Sequence, residues 1–346
     1  MALKLGVGLF TGQIPASSGR TYHQEYADIL ELTTLTETVG LDAAWVSEHH
    51  FAEDGYLPSL VVMMAAMAAR TERIELGTGV ILAPFHDPIR LAEDFAVCDQ
   101  ISGGRTICGL GVGWREEEFR EFGIKVSSRA RRLTEIVEVL RLAWGEERFS
   151  FSGRHYGYDG VSVTPKPQRT PPILLGGFVD KAVKRAGRIG DGYLSSRAPL
   201  ERVAECFQMA GAERAAAGHP SPPVVGVLQN GFVTEDPERD WPVVRAGAGH
   251  QLGTYSGWRE GTDVPGTPLR VIPPDEDSLR PSIAYGTPDE VTGYLEPLID
   301  VLSAYPESHL VVRHHYPGMG KEPAAESIAL FAKEVAPRLR ERAARR

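Results

Sequence analysis

Short apolar runs of strand type alternate along the chain with longer segments whose apolar positions recur at helical spacing, the rhythm of consecutive βαβ units. Strands are predicted over residues 3–10, 43–48, 74–81, 105–111, 172–176, 191–196, 223–229 and 308–314. Helices are predicted over 24–40, 58–70, 88–101, 128–144, 180–189, 199–217, 288–303 and 324–339. Gly40 stops the first helix, and Pro58 suits the opening turn of the second. Eight parallel strands with helical crossovers can close on themselves, so the expected fold is α/β, a TIM (β/α)8 barrel spanning residues 1–346. The stretch 234–281 breaks the rhythm, being rich in Gly, Pro and charge, with Trp241, Tyr255 and Trp258. It lies between the seventh and eighth strands, on the mouth side, and is read as an inserted lid-like segment; an oligomer contact or a loose insertion fits the pattern equally.

The second strand ends abruptly in Glu48, His49 and His50, followed by Phe51. A carboxylate and two imidazoles closing an apolar strand point to a cleft, because the carboxyl ends of barrel strands form the mouth where active sites sit. The eighth strand closes in the same manner, on His314, His315 and Tyr316, and these histidines are expected to reach the mouth and meet the substrate. Three glycines at alternate positions, Gly109, Gly111 and Gly113, keep side chains off one face of the fourth strand end and leave room for a planar or phosphorylated ligand. The spacing is not that of a dinucleotide-binding loop. Gly176 and Gly177 end the fifth strand just before a helix, where backbone amides and the helix dipole favour an anion.

Charge and composition narrow the classes. With 46 acidic against 37 basic side chains and a net charge of -9, the chain lacks the basic footprint that nucleic acid demands. No run of about 18 apolar residues is present for a membrane span. The start, Met1 to Phe10, is too short for a secretory signal, and Cys98, Cys108 and Cys206 form no metal-type spacing or even-numbered framework. A cytoplasmic protein is expected, and 42% apolar residues suffice for a large core.

Several motifs together resemble the bacterial luciferase-like flavin-dependent monooxygenases over nearly the whole length apart from 234–281. They are Glu48 to Phe51 with Gly55, Leu76 to Val80, Pro88 to Glu93, Asp99 to Arg105, Gly109 to Trp114, Phe119 to Gly123, Gly176-Gly177 and Gly190 to Gly192. The resemblance implies a barrel that holds reduced FMN at its mouth and uses O2. It implies a non-proline cis peptide at Gly79-Val80 against the flavin ring, with Thr78 beside it, and Gly111, Val112 and Gly113 are read as cofactor-binding residues. It makes His49 the acid/base, oriented or charged by Glu48, with His50 behind. Adjacent residues of an extended chain face opposite ways, so His49 and His50 should not share one role.

The phosphate grip departs from the family. Where luciferases offer a Glu-Ser pair, a later Thr hydroxyl and an arginine, this chain has Phe178, Val179, Ala182 and Val112. Arg129 and Arg197 are the candidates to compensate, and the expectation is weak, reversible binding of reduced FMN supplied by a separate flavin reductase. Substrate contacts are expected from Phe10, Phe51 and Trp114 with His314 and His315, and the mouth is expected to gather Phe178, Trp241, Tyr255 and Trp258 as well, which fits a small, largely apolar organic molecule. A homodimer is implied by the resemblance alone.

Three alternatives remain. A deazaflavin-dependent hydride transferase on the same barrel fits the Gly109 to Trp114 run and the missing phosphate arginine. A non-catalytic flavin-binding barrel would not need His49. A metal-dependent barrel hydrolase would use the His pairs with Glu48, although ligands on one strand need i, i+2 spacing and each His pair is i, i+1.

Overall fold

The computed structural model describes residues 2–196, 198–260 and 275–346. Eight strands form the barrel: β1 (Ala2–Phe10), β2 (Ala43–Val46), β3 (Glu75–Thr78), β4 (Thr106–Gly111), β5 (Ile173–Gly176), β6 (Gly192–Ser196), β7 (Val224–Val233) and β8 (Glu307–Arg313). Each pairs in parallel with the next, and β8 pairs with β1 in register from Ala2 opposite Glu307 to Val7 opposite Val312, which closes the sheet. The third predicted strand is shorter than its apolar run, because the chain leaves the ladder after Thr78 and resumes only at Ile81–Leu82, paired with β4. Helices Tyr22–Thr38, Leu60–Ala68, Pro88–Ser102, Arg129–Gly145, Asp180–Ile189, Leu200–Ala216, Pro288–Leu302 and Lys321–Leu330 follow the strands in turn. Among the described residues, no helix is long and apolar enough to cross a membrane.

Side-chain alternation along the strands sorts the apolar residues into two cores. Ala43, Trp45, Ile107, Leu174, Leu194, Leu228 and Val311 fill the barrel interior. A larger layer, including Leu5, Val7, Leu76, Phe95, Ile136, Phe207 and Leu310, lies between strands and helices. Trp45 is the largest interior side chain, and its neighbours are small for that reason. A Cβ on Gly77 would stand 2.4 Å from the Trp45 ring, and one on Gly8 would stand 2.5 Å from its carbonyl oxygen.

The insertion is not simply a loop. Residues 237–260 form a 24-residue helix, Pro237–Glu260, with Pro242 near its start. Buried Trp241, Val244, Ala248 and Leu252 mark one apolar stripe along it, which binds the helix to the body. The following residues 261–274 lie outside those described. A hairpin that the sequence reading passed over, Phe149–Ser152 with Gly157–Val161, and a short helix, Glu116–Glu121, also interrupt the barrel rhythm.

Candidate active site

The strand carboxyl ends surround a cavity of about 900 Å³. Its lower wall is apolar, from Leu194, Leu228 and Val311 at the top of the barrel interior. Glycine backbone at Gly79, Gly111 and Gly176 forms part of the side wall, with Val80 between. The Gly79-Val80 peptide is cis, and so is Gly8-Leu9 in β1, whose Leu9 side chain reaches to within 2.7 Å of where a Gly79 Cβ would stand. The glycines answer first to strand packing: a Cβ on Gly109 would meet the Thr78 carbonyl oxygen at 1.8 Å, and one on Gly111 would meet Val80 at 2.6 Å. The space they leave is therefore filled by neighbouring chain as well as opened to a ligand.

His49 enters the cavity from the loop after β2. Its Nδ1 lies 2.9 Å from Glu118 Oε1, and the same oxygen accepts the backbone N–H of His50 at 2.9 Å. A carboxylate can only accept, so Nδ1 carries the proton and the lone pair sits on Nε2. Aromatic rings box the imidazole: Tyr56 and Trp258 at 4.8 Å, Tyr255 at 5.4 Å and Trp114 at 6.0 Å between centroids. Tyr56 Oη bonds Ser47 Oγ and Tyr255 Oη, each at 3.0 Å, so the insertion helix is tied to the loop that carries His49. His250 of that helix adds a second tie, 2.8 Å from Asp54.

Glu48 does not orient His49. Its Oε1 is 2.6 Å from His50 Nε2 and 3.0 Å from His86 Nε2. Burial would push its carboxyl up, but the two imidazoles prevail and hold it down at about 2. Extended geometry explains the split, since Glu48 and His50 share one side of the chain and His49 takes the other. Arg115 anchors the same loop through the His50 and Phe51 carbonyls.

The turn expected to hold an anion, Gly176 to Val179, lies ahead of helix Asp180–Ile189, whose first amides have no side-chain cap. A Cβ on Gly177 would stand 2.5 Å from the Ala182 methyl, so the tight turn requires both small residues. Arg129, Lys181, Arg185 and Arg202 line this part of the cavity, Arg202 also pairing with Asp180. Burial lowers the Arg185 pKa most, and the like charges of Arg188 and Arg129 lower it further. Across the mouth, Gln229, Asn230, Gln251 and Arg313 give the wall a polar sector.

Among the expected cofactor contacts, Gly79, Val80, Gly111, Val112 and Gly113 line the cavity, as do Gly176, Gly177, Phe178, Val179 and Arg129. Thr78 does not: its hydroxyl is buried against Gly109, donating to the carbonyl and accepting the amide at 2.8 Å. Arg197 lies outside the described residues. Of the expected substrate contacts only Trp114 lines the cavity.

Phe10 is in the outer core because the β1–β2 register shifts between Val7 and Phe10. Phe51 packs on Phe122 at the exposed rim. Alternation sends Val311 and Arg313 inward, so His314 faces Ser327 and Phe331 of the covering helix. His315 is buried beside Phe10 and Glu25. Trp241 packs on Tyr285, away from the mouth. Glu118, Tyr56, Arg185 and Arg313 escaped the sequence reading. Glu118 and Tyr56 lie in irregular or short segments with no strand to announce them, and Arg185 is an ordinary-looking helix arginine.

Comparison with known proteins agrees with this architecture. Residues 4–295 match the family model for luciferase-like monooxygenases. F420-dependent glucose-6-phosphate dehydrogenase from Kineococcus radiotolerans is 33% identical over 175 residues, 48% of this chain and 51% of the relative, so this match spans about half the relative's length. The enzyme of the same description from Nocardia farcinica is 29% identical over 328 residues, covering 90% of this chain and 94% of the relative. The crystal structure of monooxygenase RslO1 from Streptomyces bottropensis superposes with a TM-score of 0.77 at 25% identity, over 97% of this chain and 99% of that one. A closed parallel barrel, a mouth built from its strand ends and a family match across most of the length lead to one conclusion: the chain belongs to the luciferase-like monooxygenase family.

Proposed function

We propose that this chain binds reduced FMN and uses O2 to oxidise a small, largely apolar organic substrate. The observation that carries the proposal is the His49–Glu118 pair, boxed by aromatic rings and facing a cavity with one glycine-walled side and one cationic end. The residues fit the cofactor. A volume of about 900 Å³ lies near the upper end of the range for small-molecule pockets, which suits a flavin with a small substrate beside it. Gly79, Gly111 and Gly176 let backbone approach a flat ring, while Arg129, Arg185 and the free amides before Asp180 would hold a phosphate.

Bound reduced FMN supplies the electrons that activate dioxygen. The protein's part is proton management and exclusion of water. His49 Nε2 takes or returns a proton at the mouth, with Glu118 fixing the tautomer and stabilising the imidazolium. Tyr56, Trp114, Tyr255 and Trp258 keep water from the imidazole. Reduced cofactor would arrive from a separate reductase, since no nicotinamide-binding fingerprint occurs in the sequence.

A second reading is deazaflavin-dependent hydride transfer on the same cavity, supported by the Nocardia farcinica relative matched over nearly its whole length. The same His49–Glu118 pair would then remove the hydroxyl proton of an alcohol substrate as the hydride on its carbinol carbon passes to an oxidised deazaflavin. Anaerobic titration with reduced FMN and with a deazaflavin in its oxidised and reduced states, followed by admission of oxygen, separates the two. The proposal expects one reduced FMN bound per chain and His49-dependent oxygen consumption. Tight binding of the deazaflavin alone, with no effect of oxygen, would establish the second reading.

A further inference from the structure

Beside the cavity, but distinct from the His49–Glu118 pair, one buried carboxylate gathers two imidazoles. Glu48 and His50 come from alternate positions of the loop after β2, and His86 comes from the turn before helix Pro88–Ser102. The candidate donor atoms of all three lie within 4.8 Å of one another. The Glu48 side chain is wholly buried, whereas His50 and His86 are 12% and 28% exposed. Glu48 Oε2, also buried, has no hydrogen-bond partner. Among the described residues, no other three His, Cys, Asp or Glu side chains gather in this way.

We propose that Glu48, His50 and His86 form a binding site for a divalent transition-metal ion of the zinc class. Two imidazoles and one carboxylate are a donor set that Zn²⁺ accepts, and the i, i+2 spacing of Glu48 and His50 places both on one side of the chain. Tetrahedral coordination with bonds of about 2.0–2.2 Å needs donor atoms roughly 3.3 Å apart. The present separations of 2.6 and 3.0 Å need to open by less than about 1 Å, or Oε2 can serve in place of Oε1.

The ion reaches the site from the side where His86 is exposed, and a water completes its coordination there. Phe122 at 4.9 Å and Phe85 at 5.9 Å stand edge-on to His50 and shield the other side, which strengthens carboxylate–metal attraction. Glu48 and His50 flank His49, so an ion held between them would clamp the loop that carries the catalytic imidazole. The inference does not rest on which flavin the cavity takes.

The test uses untagged, chelator-treated full-length protein without flavin. Isothermal titration with Zn²⁺ measures stoichiometry, and titration with Co²⁺, followed by visible absorption, reports ligand geometry. One ion per chain is expected, with the intense visible bands of tetrahedral cobalt. His86→Ala and Glu48→Gln should each weaken Zn²⁺ binding at least 30-fold. Since Glu48 is buried and its replacement can disturb folding, His86→Gln at the partly exposed position is a further variant with the same expectation, its fold checked by circular dichroism. Wild-type protein that binds no stoichiometric ion overturns the proposal, and so does undiminished binding by the folded His86 variants, which would place the ion elsewhere.

Discussion

Glu118 Oε1 lies 2.9 Å from His49 Nδ1, joining residues 69 positions apart in sequence. The contact fixes which nitrogen of the imidazole faces the cavity. An amide in place of the carboxylate can keep an acceptor oxygen for both donors but removes the negative charge that stabilises the imidazolium when Nε2 takes a proton. Glu118→Gln should therefore lower turnover by about 10²- to 10³-fold while leaving the dissociation constant of reduced FMN within about threefold. Steady-state kinetics and a fluorescence titration check the two halves, and a drop in affinity with unchanged turnover would assign Glu118 to cofactor binding instead.

The cationic end gives a separable prediction. Arg185 is half-buried in the cavity wall, and Lys181 is exposed at its edge. Charge-assisted hydrogen bonds to a phosphate contribute about 1.5–3 kcal/mol, so Arg185→Ala should raise the dissociation constant of reduced FMN about 10- to 100-fold. Lys181→Ala should raise it only about threefold, because a mobile exposed ammonium is screened by solvent and salt. Titrations at two ionic strengths test both. Equal effects from the two variants would argue for a diffuse field rather than a direct contact.

Glu25 sets a pH dependence of stability. Burial pushes its carboxyl from 4.5 up to about 7, against the opposing pull of Arg20. Between those values the folded chain holds a proton that the unfolded chain has lost, so stability falls as pH rises through the window and stays lower above it. The shift corresponds to roughly 3 kcal/mol. Buried His314 and His315 have the opposite sign: burial lowers both to about 3, so their neutral forms favour folding, an advantage lost as pH falls from 6.5 towards 3. The two histidines dominate the parent's own curve, so the difference isolates Glu25: the stability of Glu25→Gln should rise relative to the parent between pH 4.5 and 7 and exceed it at pH 8, measured by urea unfolding of both at a series of pH values. A stability difference between Glu25→Gln and the parent that stays constant from pH 5 to 7 would contradict this assignment.

Gly77 tests the packing of the barrel interior. A methyl there would stand 2.4 Å from the Trp45 ring, whose environment offers no room to retreat. Gly77→Ala should cost about 1–3 kcal/mol of stability, read as a lower denaturant midpoint with an unchanged slope. Gly145→Ala, where a Cβ meets nothing within 4 Å, is the control and should leave the midpoint nearly where it was.

The barrel was legible because its signal is periodic. All eight strands and the helices between them follow from alternating apolar runs, and the boundaries differ by a few residues where a ladder ends early, as at Thr78. Helix Pro237–Glu260 was hidden by its glycines, which depress helix propensity, although its stripe of Trp241, Val244, Ala248 and Leu252 was present to be read. At the mouth, His49 and Trp114 were visible as chemistry at strand ends. Glu118 was not, because a partner 69 residues away leaves no local mark. His314 and His315 misled because the parity of β8 depends on its register with β1 and β7, which sequence does not display. The i, i+2 relation of Glu48 and His50 is present in the sequence, but His86, the partner that completes the cluster, is 36 positions from His50 and leaves no local mark.

The central claim is that one cavity holds reduced FMN with His49 acting on it. Rapid mixing of the reduced FMN complex with oxygenated buffer, followed by flavin absorbance, tests it directly in the parent and in His49→Ala. The account predicts equal flavin binding, within about threefold, and time courses of flavin reoxidation that differ at least tenfold between the two proteins. Superimposable traces from two proteins that both bind the flavin would contradict it.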